Sequence, residues 1–155
     1  NNNVKQKYLL KYVEKWLNEG VPIGAVGIQG HWSTFELNES PRRLQKVINK
    51  LYKLGVDIQI TECDMRIDAT KNDIFDTLPR NVELLQSKKF SQMFEVLRKN
   101  KDKISSVTFW GMGDGNTYYN TGNNRHNWPL LFDERLRPKQ AFDSVTAFAA
   151  NTETK

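Results

Sequence analysis

The sequence has one cysteine, Cys63, which rules out an internal disulfide framework and a multi-cysteine metal site, while leaving the redox compartment open. No stretch approaches the roughly 18 apolar residues needed to cross a bilayer. The opening Asn1-Asn2-Asn3-Val4-Lys5 lacks the apolar region of a signal peptide and an initiator methionine, and it reads as a cut or processed end. Histidine is scarce too, at two residues, and no His-x-x-x-His pair occurs, so neither a metal nor another cofactor is expected. The net charge is +5, but 18 acidic residues are interspersed with the lysines and arginines and no basic stripe alternates with aromatics. Neither a nucleic-acid nor a membrane partner is expected.

What is present is an ordinary globular composition, 38% hydrophobic over 155 residues, enough for one compact core. Tyr8, Leu9, Tyr12, Val13, Trp16 and Leu17 recur at helical spacing before a stop at Gly20. Ile23 to Gln29 is a short apolar run expected of a buried parallel strand, and it leads into Gly30-His31-Trp32. Ser40-Pro41 opens a second helix carrying Leu44, Val47, Ile48, Leu51 and Leu54, and Val56 to Thr61 forms a second strand ending in Glu62-Cys63-Asp64. Met65 to Gln86 reads as a long functional loop. A third helix is expected from Ser87 with Phe90, Met93, Phe94 and Leu97 inward, then a strand from Ile104 to Trp110. A Gly- and Asn-rich loop, Gly111 to Asn127, precedes a last helix starting near Pro138 and burying Ala141, Phe142, Val145 and Phe148. Strands joined by helical crossovers should be parallel, so the chain is α/β, and its unusual polar residues all gather at strand C-termini.

Glu62 and Asp64 stand two apart, so an extended chain points both carboxylates to one side. Two like charges so close need a neighbour that stabilises or protonates one of them, and His31 is available if its strand is adjacent. Two readings stand at this point: solvated acids at a loop entrance, or a site. Gln29 shares the side of His31 and makes a polar pair at the end of an apolar strand. Trp110 can stack on a sugar face or plug the end of the sheet, and Tyr118, Tyr119 and Trp128 offer further aromatic surface or pin the loop. Cys63 should alternate away from the acids and be buried and inert. Asn38-Glu39-Ser40 is a formal glycosylation sequon, with Pro41 following it.

Gly27-Ile28-Gln29-Gly30-His31, Ile60-Thr61-Glu62-Cys63-Asp64, Phe109-Trp110-Gly111, and Trp128-Pro129-Leu130-Leu131-Phe132-Asp133 through Pro138-Lys139 occur in that order. Together they resemble the C-terminal part of family 10 glycoside hydrolases, the endo-1,4-β-xylanases, from about Val4 to Phe148. The resemblance implies a (β/α)8 TIM barrel of which this chain holds strands six to eight with their helices. Residues 1–150 would be part of one catalytic domain and 151–155 a tail. It implies that Glu62 is the nucleophile of a retaining, double-displacement hydrolysis of xylan, and that His31 and Asp64 orient and tune it. Gln29, Trp110 and Tyr118 become substrate-binding residues, with Tyr118 standing where the family commonly has a second tryptophan. Cys63 occupies a position more usually aliphatic.

The family's general acid is a glutamate at the end of the fourth strand, which this chain does not contain. A complete barrel takes roughly 250 residues. An N-terminal segment carrying strands one to five, on a second chain or a missing part of the same protein, is therefore the expected partner, and this chain alone is expected to be inactive. A polymer substrate such as xylan or a xylo-oligosaccharide implies an extracellular, periplasmic or cell-surface location. Two alternatives remain: a carbohydrate-binding fragment without catalysis, and a related β-1,4-glycanase.

Overall fold

The computed structural model describes residues 3–35, 40–67, 75–120 and 126–150. Along the chain come helix α1 (Asn3–Asn18), strands β1 (Ala25–Ile28) and β2 (His31–Ser33), helix α2 (Ser40–Lys53) and strand β3 (Asp57–Arg66). Helix α3 (Arg80–Lys99), strand β4 (Ile104–Phe109), 3-10 turns at Asp114–Asn116 and Tyr118–Asn120, and helix α4 (Gln140–Ala150) follow. Asn38 and Glu39 of the sequon and the 151–155 tail lie outside the described residues.

All strand pairing is parallel, as expected of helical crossovers, and β3 is its axis. Ile60 of β3 pairs with Ile28 on one edge and Val107 of β4 on the other. Beyond Ile28 the chain breaks at Gly30 and resumes as β2, where His31 pairs with Asp64. Glu62 N–H donating to Gln29 O (2.7 Å) and Asp64 N–H donating to Gly30 O (3.3 Å) carry the ladder across the break. β1 and β2 are thus two pieces of one strand line.

Past Ile60, β3 carries one residue more than either neighbour. Between the pairs Ile28–Ile60 and His31–Asp64 it advances four positions against three, and between Ile60–Val107 and Cys63–Phe109 three against two. This is a bulge between Ile60 and Cys63. Its effect shows in burial: Ile58 and Ile60 are fully buried in the main core, then Cys63 and Met65 are. The helix-facing side chains therefore switch from even to odd positions, and Glu62 and Asp64 are released to the opposite face.

The core is sealed by Leu44, Val47, Ile48 and Leu51 of α2 and by Phe90, Met93 and Leu97 of α3, with Ala141 and Val145 of α4. Each such large side chain contributes roughly 1.5–3 kcal/mol by burial. Helix α3 starts at Arg80, seven residues before the expected Ser87, directly after Pro79, whose ring presets a helix entrance. Its first turns bury Val82 and Gln86, and a buried glutamine hides the apolar period that would have marked them. β3 likewise runs on to Arg66, past the expected end in Glu62-Cys63-Asp64.

The outward positions include one side chain expected inward, Phe148. On α1 Val13 is buried, whereas Tyr8, Leu9, Tyr12 and Trp16 are 37–53% exposed because nothing among the described residues packs over them. Phe148 is exposed with the Arg98 guanidinium 4.9 Å over its ring. β4 is open from Ser105 to Thr108, and the outer edges of β1 and β4 have no strand partner among the described residues.

Candidate active site

The site begins with a backbone requirement. Gly30 sits at φ +83°, a left-handed conformation that costs other residues energy, and a Cβ there would lie 2.8 Å from Ile60 Cγ2. Only glycine lets the β1–β2 line bend this tightly over the bulge. The bend sets His31 between the two carboxylates of β3.

His31 Nδ1 lies 2.9 Å from Asp64 Oδ2, and Nε2 lies 3.0 Å from Glu62 Oε2. Asp64 is buried to 1% exposure, while the Glu62 side chain keeps 24%. Gln29 Nε2 donates to Glu62 Oε1 at 3.5 Å, the long limit of a hydrogen bond. Tyr119 O–H donates to Asp64 Oδ1 at 3.3 Å, and the Tyr118 ring meets His31 edge-on at 5.9 Å between centroids.

This arrangement constrains the protons. An ionised carboxylate only accepts. With both acids ionised, the imidazole must donate from both nitrogens and carry a positive charge. A neutral ring that donates from Nε2 leaves a bare Nδ1 facing Asp64, which must then hold the proton. Burial pushes the Asp64 carboxyl up from its ordinary range, against the pull of His31, and so favours a proton in that half of the network. The geometry leaves Glu62 partly exposed and fixed on one side by the imidazole. That is the placement a carboxylate nucleophile requires. Asp64, sunk and bonded through both oxygens, is closed to any ligand.

Trp110 follows β4, its N–H donating to Cys63 O at 3.0 Å, and its side chain is 47% exposed. The Cys63 thiol faces the opposite way, fully buried, and burial pushes its pKa far up. Of the residues singled out from sequence, Gln29, His31, Glu62, Asp64 and Tyr118 come together directly, and Trp110 borders them through its backbone bond to Cys63.

Three supports were not read from the sequence. Tyr119 holds Asp64, although the sequence offered it only as loop surface. Gln86 Nε2 donates to Met65 O and Trp128 O, both at 2.7 Å, tying the end of β3 to the segment after the last loop. The third is a buried ion pair, Lys139 Nζ to Asp114 Oδ2 at 2.8 Å. Lys139 also donates to Trp128 O and Leu130 O, while Asp114 Oδ1 accepts from Leu130 N–H. Burial pushes the Asp114 carboxyl up to about 6 and the Lys139 ammonium down, each against the attraction of the other. Together these bonds close the loop bearing Tyr118 and Tyr119 against the 128–139 segment. A lysine immediately before a helix, at the positive end of its dipole, was the available signal.

The sequence model of glycosyl hydrolase family 10 matches residues 1–148. The chain belongs to glycosyl hydrolase family 10. A family relative described as a beta-1,4-xylanase, from Dictyoglomus thermophilum, is 37% identical over 149 residues, covering 94% of this chain and 42% of the relative. The solved family 10 xylanase of Thermobacillus composti superposes with a TM-score of 0.86 at 34% identity, over 93% of this chain and 48% of that one. Another solved structure, a mutant described as in complex with xylotriose, gives a TM-score of 0.85 at 35% identity over 91% of this chain and 44% of that one. The chain thus spans about two fifths of the curated relatives' length. Its parallel strand lines with their helices are part of the family 10 (β/α)8 barrel.

Proposed function

We propose that this chain is the nucleophile-bearing part of a retaining endo-1,4-β-xylanase. The observation that carries the reading is His31 bridging Glu62 and Asp64 at 3.0 and 2.9 Å, which holds Glu62 in place at the partly exposed end of the network while Asp64 is spent on positioning. In the first step a Glu62 oxygen attacks the anomeric carbon of a xylosyl unit as the bond to the leaving sugar breaks. A protonated glutamate at the end of the fourth barrel strand, supplied by the N-terminal segment, gives its proton to the departing oxygen. Water, deprotonated by that same glutamate, then displaces Glu62 and restores the configuration. Such a pair stands about 5–5.5 Å apart. Gln29 steadies Glu62, and Trp110 and Tyr118 line the sugar path, a role in keeping with their half-exposed rings.

Residues 1–150 belong to one catalytic domain, completed by strands one to five, with 151–155 as a tail. The substrate is xylan or a xylo-oligosaccharide, and a polymer of that size is met outside the cytoplasm, in the medium, the periplasm or at the cell surface. Reducing-sugar release from xylan tests the reading, using the chain alone, the chain mixed with a fragment supplying strands one to five, and that mixture carrying Glu62→Ala. Activity in the unsubstituted mixture only is expected. Activity of the chain alone, or of the Glu62→Ala mixture, overturns it, and xylan binding without hydrolysis in the unsubstituted mixture indicates a binding fragment.

A further inference from the structure

Helices α1 and α2 enclose an open groove of about 780 Å³, floored by Leu10, Val47 and Leu54. Its walls present Lys7, Lys11, Arg42, Lys46, Lys50 and Lys53, all exposed, and only one acid, Glu14. Along the sequence the basic and acidic residues look interspersed, but folding gathers these cations on one surface.

The gathering runs against local helix physics. Elsewhere cations on the helices find acids one turn away: Lys15 with Glu19 at 3.6 Å, Arg80 with Glu83 at 2.9 Å, Lys99 with Glu95 at 2.7 Å. None of these six exposed cations has a carboxylate partner among the described residues; a seventh lining cation, Arg43, is half-buried and does hold an interaction. Instead Lys7 and Lys11, Arg42 and Lys46, and Lys46 and Lys50 are like-charged pairs four residues apart, an arrangement that destabilises a helix. Arg42 stands in the first turn of α2, where the dipole disfavours a cation and no acid compensates. Repeated breaks of local rules at one surface mark a binding surface more often than a structural one. A bound polyanion relieves every one of these repulsions.

We propose that this groove binds an acidic polysaccharide, the uronic-acid-substituted form of a β-1,4-xylan, at a site apart from the catalytic cleft. The choice of polymer rests on the xylanase reading above. Cations one helical turn apart, about 6 Å, on both walls can meet carboxylates spaced irregularly along a backbone. No aromatic side chain lines the groove, so it offers nothing for nucleic-acid bases to stack on. Its apolar residues form the floor between the cationic walls, unlike a membrane-binding helix whose apolar face projects.

The experiment measures binding of the assembled enzyme carrying Glu62→Ala, so that nothing is cleaved. The probes are glucuronoxylan, the same polymer with its carboxyls reduced to alcohols, duplex DNA, and anionic phospholipid vesicles, each over a salt series. Glucuronoxylan should bind more tightly than the reduced polymer, and salt should erase the difference. Lys46→Gln with Lys50→Gln should weaken binding of glucuronoxylan about three- to tenfold and leave the reduced polymer unaffected. Equal binding of the two polymers overturns the proposal, as does an unaffected double variant, or tighter binding of DNA or vesicles than of glucuronoxylan. Hydrolysis of a neutral xylo-oligosaccharide with Glu62 intact reads the cleft alone. No charge-dependent binding of glucuronoxylan by the enzyme with its lysines intact, alongside that hydrolysis, rejects this proposal only, whereas such binding without hydrolysis rejects the cleft reading only.

Discussion

Substituting Gly30 with alanine puts the architecture of the site to a quantitative test. Two costs add there. The left-handed φ of +83° costs an L-residue about 1–2 kcal/mol. The new Cβ, 2.8 Å from Ile60 Cγ2, forces a shift in a fully buried isoleucine, an overpacking cost of about 1–3 kcal/mol. Gly20 is the internal control: its φ is +80°, yet nothing lies within 4 Å of its Cβ position, so Gly20→Ala carries only the first cost. Urea unfolding of the assembled enzyme should show about 2–5 kcal/mol lost for Gly30→Ala and about 1–2 for Gly20→Ala. Because the strain at Gly30 is relieved by moving the backbone that carries His31, turnover of xylan should fall in Gly30→Ala and hold in Gly20→Ala. Equal destabilisation by the two substitutions, or full turnover in Gly30→Ala, refutes the claim that the tight bend sets the imidazole between the carboxylates.

Tyr119→Phe removes the hydroxyl that holds Asp64; a bond of this kind is worth about 0.5–1.5 kcal/mol, so kcat/KM should drop about two- to tenfold with the fold intact by circular dichroism. Lys139→Met strands the Asp114 carboxylate and should cost about 3–5 kcal/mol in unfolding measurements, with part of the loss recovered by adding Asp114→Asn, which can still accept from Leu130. Cys63, fully buried and with its thiol pKa pushed up, should resist iodoacetamide at pH 8 in the folded enzyme and react once urea is added; labelling at the same rate in both states contradicts its placement.

Much of the site was legible because it sits where periodic sequence stops being periodic. The apolar runs before Gln29, Glu62 and Trp110 mark strands, and polar residues at their ends can only face the mouth of the sheet. The two-residue spacing of Glu62 and Asp64 gave their common face, and the parallel order of the strands brought His31 beside them. The bulge was not legible. It depends on register against two neighbours, and simple alternation from Ile58 and Ile60 would have sent Glu62 into the helix-side core. Gln86 was missed because a buried polar residue interrupts the helical pattern in which it lies, and Tyr119 because a hydroxyl's partner 55 residues away leaves no local trace. The apolar face of α1 was legible from its three- and four-residue spacing, and its exposure at Tyr12 and Trp16 is what a partial barrel leaves open.

The central claim is that Glu62 forms the covalent bond to the sugar, and trapping the intermediate tests it most directly. An activated 2-deoxy-2-fluoro-xylobioside is incubated with the assembled enzyme, and the protein is weighed intact and then as peptides. One glycosyl adduct on Glu62 is the predicted result. An adduct on Asp64 or elsewhere, or no adduct from an enzyme that still hydrolyses xylan, would contradict the account.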